Sequence, residues 1–337
     1  MPRAIQIPDA LRAAGGIASR QHLERLGFNG PQMTAAVKAG LIFRAMQGWY
    51  AVPDAPTALV RAARVGGALA GLSAARHLGL AVPTAAPEDR LDVWVRPGSG
   101  RLRSPGDRRQ RLGADEPVRL HWDPAPPGFV RDQLIVPIDL MLRQVLDSQP
   151  HDIAIAVIDS VLHRGLMSTG EFAAFLRTLS APKRAVAARA DPRSEGFIES
   201  LLRVRLEDGL DDLRALGYRC DVRIQVVFRV NGRERRLDAM IGDRLGIEAD
   251  GMEHHSDRAQ IELDRDREIE FNGEGVYLMR LTYRQIVYGW AAVIPHVRRI
   301  VLRGDHEWPE YTRSQFSKHE PTRRARWLPP GVSAGAC

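Results

Sequence analysis

The order of hydrophobic periods between Ser194 and Arg303 constrains the fold of this chain more than any other feature. Apolar residues recur at helical spacing from Phe197 to Leu206. Residues 222–230 then alternate as a strand does, Asn231-Gly232 is the preferred two-residue hairpin turn, and the chain returns over 235–241. The expected elements are a helix over 195–207, strands over 222–230, 235–241 and 245–250, a polar helix from Ser256 to about Phe271, a strand over 276–281 and a helix over 283–302. The pattern is αβββαβα.

Acidic residues fall at matching positions of the second and third strands. A turn at 242–244 makes these strands adjacent and antiparallel, and it puts Asp238 level with Glu248. Asp250 lies two residues after Glu248 and therefore shares its face of the sheet. Opposed carboxylates repel each other unless a cation lies between them, and Mg²⁺ (or Mn²⁺) takes oxygen ligands while leaving room for water and a phosphate oxygen. The pattern predicts a metal site for phosphodiester hydrolysis.

Further candidates lie around this acidic cluster. His255 follows the third strand, and a histidine within reach of the metal-bound water could act as a general base or acid near neutral pH. On the next helix, Asp264 and Arg267 either orient the site or belong to a solvated, self-paired surface. Glu199, on the first helix, is either a supporting acid or an exposed one.

The block resembles a PD-(D/E)xK endonuclease core, and more narrowly the very-short-patch-repair-like endonuclease domains. The matching stretches are Ile198–Arg203, Leu237–Leu245, Ile247–Gly251, His254-His255, Asp264–Glu268 and Met279–Ile286. The resemblance implies a restriction-endonuclease-like αβββαβ core in which Asp238 and Glu248 hold Mg²⁺, His255 transfers protons and Glu199 is the helix glutamate. Asp250 stands where the superfamily has its lysine. Either Asp250 binds metal or His255 takes over proton transfer, or the domain is inert and kept for binding.

The N-terminal residues show the spacing of a small DNA-binding unit. Helices over 5–14, 21–26 and 32–39, each ended by glycine, precede a short hairpin, which together predict a winged helix-turn-helix. Residues 1–50 carry six basic and two acidic side chains, a balance that suits phosphate contact. The candidate DNA contacts are Arg20, Gln32, Thr34, Lys38 and Arg44. Winged helices also dock proteins, so a protein partner for this unit stays open.

The middle segment carries fewer indications of function. Its pattern predicts helices over 68–80, 137–145 and 153–164 and strands over 90–95 and 118–122. Six arginines between 96 and 111 form either a solvated loop or a loop that follows phosphates. The hairpin sequence Gly48-Trp49-Tyr50 and the layout after it resemble the AbiEi-like antitoxin family of type IV toxin-antitoxin systems over roughly residues 5–180. That resemblance implies a transcriptional repressor of its own operon.

The composition of the chain and the positions of its proline and glycine clusters limit its class and its domain boundaries. The chain has 337 residues and a formal charge of +7, and a hydrophobic fraction of 44% excludes a largely disordered protein. Two cysteines exclude a disulfide framework and a cysteine zinc site. No run of apolar residues suits a membrane span or a signal peptide, so a cytoplasmic protein with no membrane partner is expected. Proline and glycine clusters divide the chain into a winged helix (1–53), an α/β domain (54–190), the nuclease-like core (191–303) and a basic tail (304–337).

The sequence therefore predicts a multidomain protein of the α+β and α/β classes that acts as a metal-dependent DNA endonuclease. The alternative is an antitoxin-like repressor whose nuclease-like domain is inert and whose partner is a toxin-like protein. DNA is the expected partner under both interpretations, and a homodimer stays open. RNA lacks support because the sequence shows no RNA-binding motif or array of exposed aromatic residues.

Overall fold

The described residues form a mixed α+β fold with three small sheets. The structure, a computed structural model, describes residues 6–84, 90–129, 133–230, 233–250 and 258–309, and only the backbone of 229–230 and 258–264. The chain divides after Gln149 into two compact units. The finer division into four segments expected from the sequence stays a prediction.

The first unit begins with three helices and a small antiparallel sheet. Its elements are α1 (Ile7–Ala13), β1 (Ile17–Ser19), α2 (Arg20–Arg25), α3 (Gly30–Lys38), β2 (Phe43–Met46) and β3 (Trp49–Ala51), with strand order β1-β3-β2. Local caps set the helix starts: Ser19 accepts the His22 N–H, and Asn29 forms a reciprocal capping box with Gln32. Ile7, Leu11 and Leu23 lie in its fully buried core.

The rest of the first unit forms a second three-stranded sheet with helices. Its elements are α4 (Thr57–Val65), β4 (Ala68–Leu69), α5 (Gly71–His77), β5 (Leu91–Trp94), β6 (Val118–His121) and α6 (Ile138–Ser148), with strand order β4-β5-β6. The single helix expected over 68–80 is wrong at its start. Ala68 and Leu69 pair with Trp94 and Val93 instead, and the helix begins only at Gly71. Long-range strand pairing here overrides local helix propensity.

The second unit opens with four helices. These are α7 (His151–His163), α8 (Thr169–Arg177), α9 (Ala181–Ala187) and α10 (Phe197–Ala215). The buried ion pair between Asp159 of α7 and Arg203 of α10 joins two of them. Helix α10 corresponds to the helix expected over 195–207 but continues for about two further turns, to Ala215.

A four-stranded sheet follows, with strand order β10-β9-β8-β7. Its elements are β7 (Val222–Val230), β8 (Arg233–Ile241), β9 (Leu245–Asp250), α11 (Arg258–Gly273), β10 (Tyr277–Thr282), α12 (Tyr283–Val287) and α13 (Trp290–Arg303). β7, β8 and β9 are antiparallel, and β10 is parallel to β9. The last helix, expected as one piece over 283–302, is two: the chain turns at Gly289, whose position leaves little room for a side chain next to Gln285.

Two apolar clusters cover this sheet. One joins leucines of α10, such as Leu202 and Leu206, to Ala239 and Ile247, and the other joins Leu237 to Phe271 of α11. Residues 304–308, expected as part of the tail, pack on the sheet, where the His306 carbonyl accepts the Asp243 N–H. Of the helices in the described ranges, none combines the length and hydropathy that a bilayer span requires.

Candidate active site

Four polar side chains lie level across the sheet of the second unit. The β8–β9 ladder pairs Ala239 with Ile247, so its continuation puts Asp238 level with Glu248, the register expected from the sequence. Arg280 of β10 pairs directly with Glu248. On the other side, the β7–β8 register puts Gln225 level with Asp238. The row therefore reads, from β7 to β10, Gln225, Asp238, Glu248 and Arg280.

Asp238 lies directly beyond the last paired residues of the β8–β9 ladder, Ala239 and Ile247. Residues two apart share a face in a regular strand, yet Leu237 and Ala239 pack into clusters on opposite faces, so the alternation breaks at Asp238. The carboxylate fills the opening between β8 and β9 at this point: its Oδ2 accepts the Ala249 N–H at 2.8 Å. A side chain thus replaces the backbone acceptor that a continued ladder would offer.

Glu248 is buried, with 5% of its surface exposed. Its Oε1 lies 2.6 Å from Nη2 of Arg267, and its Oε2 lies 3.8 Å from Nε of Arg280. The Arg267 Nη2 donates its hydrogen bond to the carbonyl of Arg236, so the approach to Glu248 is an ion pair without an aligned hydrogen bond. The buried Oε1 keeps a lone pair that no described donor satisfies.

Asp250 and Glu199 lie at the edges of the row. Asp250 Oδ1 accepts a hydrogen bond from Arg280 Nη2 at 2.9 Å. Glu199, on the first turn of α10, accepts bonds through Oε2 from the Gln225 side-chain amide at 2.8 Å and from the Glu195 N–H at 3.0 Å. Both acids expected at the site are therefore held by specific partners.

Burial shifts the titration of three of these acids in the same direction. It raises the pKa of Asp238, an effect that the Ala249 N–H opposes. Burial also raises the pKa of Glu248, where the charge of Arg267 opposes it and the charge of Asp238 adds to it. The pKa of Glu199 is raised by burial first and by the charge of Asp238 as well. Ionised, these groups disfavour one another.

The charges of the site do not balance. Glu195, which forms an ion pair with Arg236 at 2.6 Å, adds a fifth carboxylate to the four acids of the site. Three guanidinium groups face these five carboxylates, those of Arg236, Arg267 and Arg280. Two negative charges are left uncompensated by these contacts, which fits a divalent cation. Across the described ranges, His, Cys, Asp and Glu side chains nowhere gather in threes that could hold a metal ion. Asp238 and Glu248 are a pair, which is a smaller donor set than such a group. One or two carboxylates with waters and a phosphate commonly hold Mg²⁺.

Several expected residues fall outside the described part of the chain. The described part includes neither His255, the candidate for proton transfer, nor Ser256, the expected helix cap, nor the side chain of Asp264. Arg267, by contrast, faces Glu248 and does not belong to a purely solvated surface.

The candidate DNA contacts of the first unit differ in their exposure to solvent and in their contacts with other side chains. Thr34 and Lys38 are exposed, one turn apart on α3. Gln32 is partly buried, and its side chain accepts the Asn29 N–H of the capping box. Arg20 is exposed but paired with Glu24 at 2.7 Å, and Arg44 lies over the ring of Tyr50.

The arginine-rich segment after β5 is a fixed loop. Arg64 donates to the carbonyls of Pro105 and Gly106, and the buried Ser104 hydroxyl donates to Glu116. Arg108 donates to the carbonyl of Arg44 at 2.6 Å, so the loop lies against β2. The exposed arginines of this loop are Arg96, Arg101, Arg108, Arg109 and Arg111.

Sequence reasoning missed Gln225 and Arg280. Arg280 is a lone charge within an apolar strand, which is a usable indication of a buried partner. Gln225 occupies a position that simple alternation assigns to solvent, and only the adjacent pair Val226-Val227 hints at an irregular strand. No protein-family model matches this chain, and no curated protein is similar to it at a significant level.

Proposed function

We propose that this protein is a metal-dependent DNA endonuclease that binds DNA through its first unit and cleaves or nicks it at the acidic site of its second unit. The observation that carries the proposal is the pair Asp238 and Glu248. These carboxylates lie level on adjacent antiparallel strands, burial raises the pKa of both, and Glu248 Oε1 accepts no aligned hydrogen bond from a described donor. Such a pair favours a divalent cation because each ionised group destabilises the other.

In this proposal Asp238 and Glu248 hold Mg²⁺ or Mn²⁺. Such an ion, when bound, polarises a phosphodiester oxygen and lowers the pKa of its bound water. The resemblance to PD-(D/E)xK endonucleases expects a lysine at the position of Asp250. Arg280 lies level with Glu248 and binds Asp250, so it would supply the missing positive charge from β10. Because an arginine stays protonated, it would stabilise charge and leave proton transfer to another group.

Binding of duplex DNA by the first unit is supported by its helices and its basic loop. The order α1-β1-α2-α3-β2-β3 suits a winged helix-turn-helix, in which Thr34 and Lys38 of α3 would enter the major groove. Arg44 and Arg109 would then meet phosphates beside it, since the arginine loop rests on β2.

The test is cleavage of supercoiled, linear, mismatched and single-stranded DNA with Mg²⁺ or Mn²⁺. Asp238→Asn and Glu248→Gln should each reduce the rate by at least about a hundredfold, because each removes an anionic ligand at nearly constant shape. Glu234→Gln, which changes an exposed acid of β8, is the matched control and should cleave at the wild-type rate. Wild-type rates in both site variants would refute the assignment.

A second candidate is an antitoxin-like transcriptional repressor with an inert nuclease-like domain. One observation favours it: Arg267 and Arg280 already approach both oxygens of Glu248. It predicts tight, sequence-specific binding to DNA upstream of the protein's own gene and no cleavage with any divalent ion. A neighbouring gene for a nucleotidyltransferase-like toxin would favour this function, and an isolated gene would favour the nuclease.

A further inference from the structure

Gln225 has a backbone conformation that its side chain disfavours. Its φ is +52°, and among described residues other than glycine it alone has a positive φ. It lies inside strand β7, between Ile224 and Val226, which both keep their ladder partners on β8. A left-handed residue in a strand costs free energy and persists only where the surroundings fix it. An observed outlier of this kind is a reason to look for a function of the side chain.

The side chain of Gln225 is oriented by its neighbour. Its Nε2 donates to Glu199 Oε2 at 2.8 Å, and an ionised carboxylate can only accept, so the amide nitrogen must face Glu199. The amide oxygen therefore points away from Glu199. Gln225 is 7% exposed, and its Oε1 is buried without a hydrogen-bond donor among the described residues. Buried polar atoms normally have a partner, so this oxygen indicates one that the described residues do not supply.

The position of Gln225 relates this oxygen to the acidic pair. The β7–β8 register puts Gln225 level with Asp238, next to the opening that the Asp238 carboxylate fills. Glu199, to which Gln225 is bonded, is close enough to feel the charge of Asp238. Two carboxylates and one amide oxygen thus belong to the same corner of the site, and hard divalent cations accept amide oxygens as well as carboxylates.

We propose that Gln225 Oε1 is a neutral ligand of the divalent cation, which it binds together with Asp238 and with Glu199 beside it. This inference rests on the proposed metal-dependent function of the same site. It also gives a reason for the strained backbone, because the left-handed residue breaks the alternation of β7 opposite Asp238 and so sets the direction of the side chain at 225. The competing explanation is that Gln225 only holds Glu199 in place through Nε2.

Titration of the full-length protein with Mn²⁺, followed by calorimetry and by the electron paramagnetic resonance of free Mn²⁺, tests the inference without any measurement of cleavage. Gln225→Gly removes the side chain and relieves the strain, because glycine adopts positive φ freely. We expect its dissociation constant for Mn²⁺ to rise at least about tenfold while its melting temperature without metal is unchanged or higher. Gln110→Gly, in an exposed loop, is the matched control and should bind as the wild type does.

Gln225→Glu separates the two explanations. It replaces the amide donor with a carboxylate that repels Glu199 but offers an anionic ligand, so a ligand role predicts Mn²⁺ binding at least as tight as in the wild type. Weaker binding than in Gln225→Gly would overturn the ligand role, as would wild-type affinity in Gln225→Gly. If the wild type binds no Mn²⁺, the proposed function fails and this inference fails with it. If the wild type binds Mn²⁺ and cleaves DNA while Gln225→Gly binds equally well, only this inference fails.

Discussion

The buried ion pair that joins α7 to α10 offers a quantitative test of the second unit. Nη2 of Arg203 lies 2.9 Å from Oδ2 of Asp159, and the two side chains are 4% and 0% exposed. The other oxygen of Asp159 accepts the Asp191 N–H at 2.7 Å. Arg203 follows Glu199 by about one helical turn, so the pair also holds the helix that brings Glu199 to the candidate site.

Asp159→Asn keeps the shape of the side chain but leaves one acceptor oxygen for the buried donors of Arg203, Asp191 and Ser200. Loss of a partner for one donor costs about 1–3 kcal/mol. Arg203 keeps a second carboxylate, Glu207, at 3.3 Å, which limits the penalty of an unpaired buried charge. We therefore expect the free energy of unfolding to fall by about 3 kcal/mol, the lower end for a broken buried pair.

The same two helices carry a matched control. Asp208 of α10 contacts His151 of α7 at 2.7 Å and Arg189 at 2.7 Å, but the side chains of His151, Asp208 and Arg189 are 49%, 40% and 31% exposed. Asp208→Asn should cost less than about 1 kcal/mol because solvent screens both contacts. Urea denaturation of each variant gives the free energies, with hydrogen exchange at α7 and α10 assigning the transition to the second unit. Equal losses in both variants would refute the argument that burial decides the contribution.

Three further predictions follow from other parts of the molecule. Burial raises the folded-state pKa of Glu248, so this group destabilises the metal-free protein as pH rises from the ordinary carboxyl pKa through the raised value. In EDTA, the melting temperature of Glu248→Gln should therefore increase relative to that of the wild type as the pH is raised. A difference independent of pH would contradict this. Arg109→Ala should weaken DNA binding and lower the slope of log Kd against log salt by about one, measured by fluorescence anisotropy. Gly275→Ala should cost about 3 kcal/mol in thermal melts, since φ is +72° and a Cβ would collide with the Trp308 ring, whereas Gly273→Ala, with open space around it, should be nearly neutral.

Local sequence chemistry determined most of the secondary structure and one register. Ser19 was recognisable as a cap, and the Gly242–Arg244 turn fixed the pairing of β8 with β9, because side chains alternate along a strand and the turn length sets the register. Helix α8 was missed although Ser168 and Glu171 form a capping box at its start. The break at Gly289 was missed because an isolated glycine is tolerated within a helical pattern and does not by itself mark an end.

The partners of the acidic residues depend on which strands and helices meet in the folded protein. The sequence placed Asp238 level with Glu248, but Arg280 reaches Glu248 because β10 pairs with β9, thirty-two residues later in the chain. Gln225 is buried because β7 departs from regular alternation opposite Asp238. Spacing along the chain is local information, whereas burial and charge pairing depend on which strands and helices meet. Local spacing therefore predicts which carboxylates lie level with each other, whereas the packing of distant elements sets how deeply they are buried and which guanidinium groups approach them.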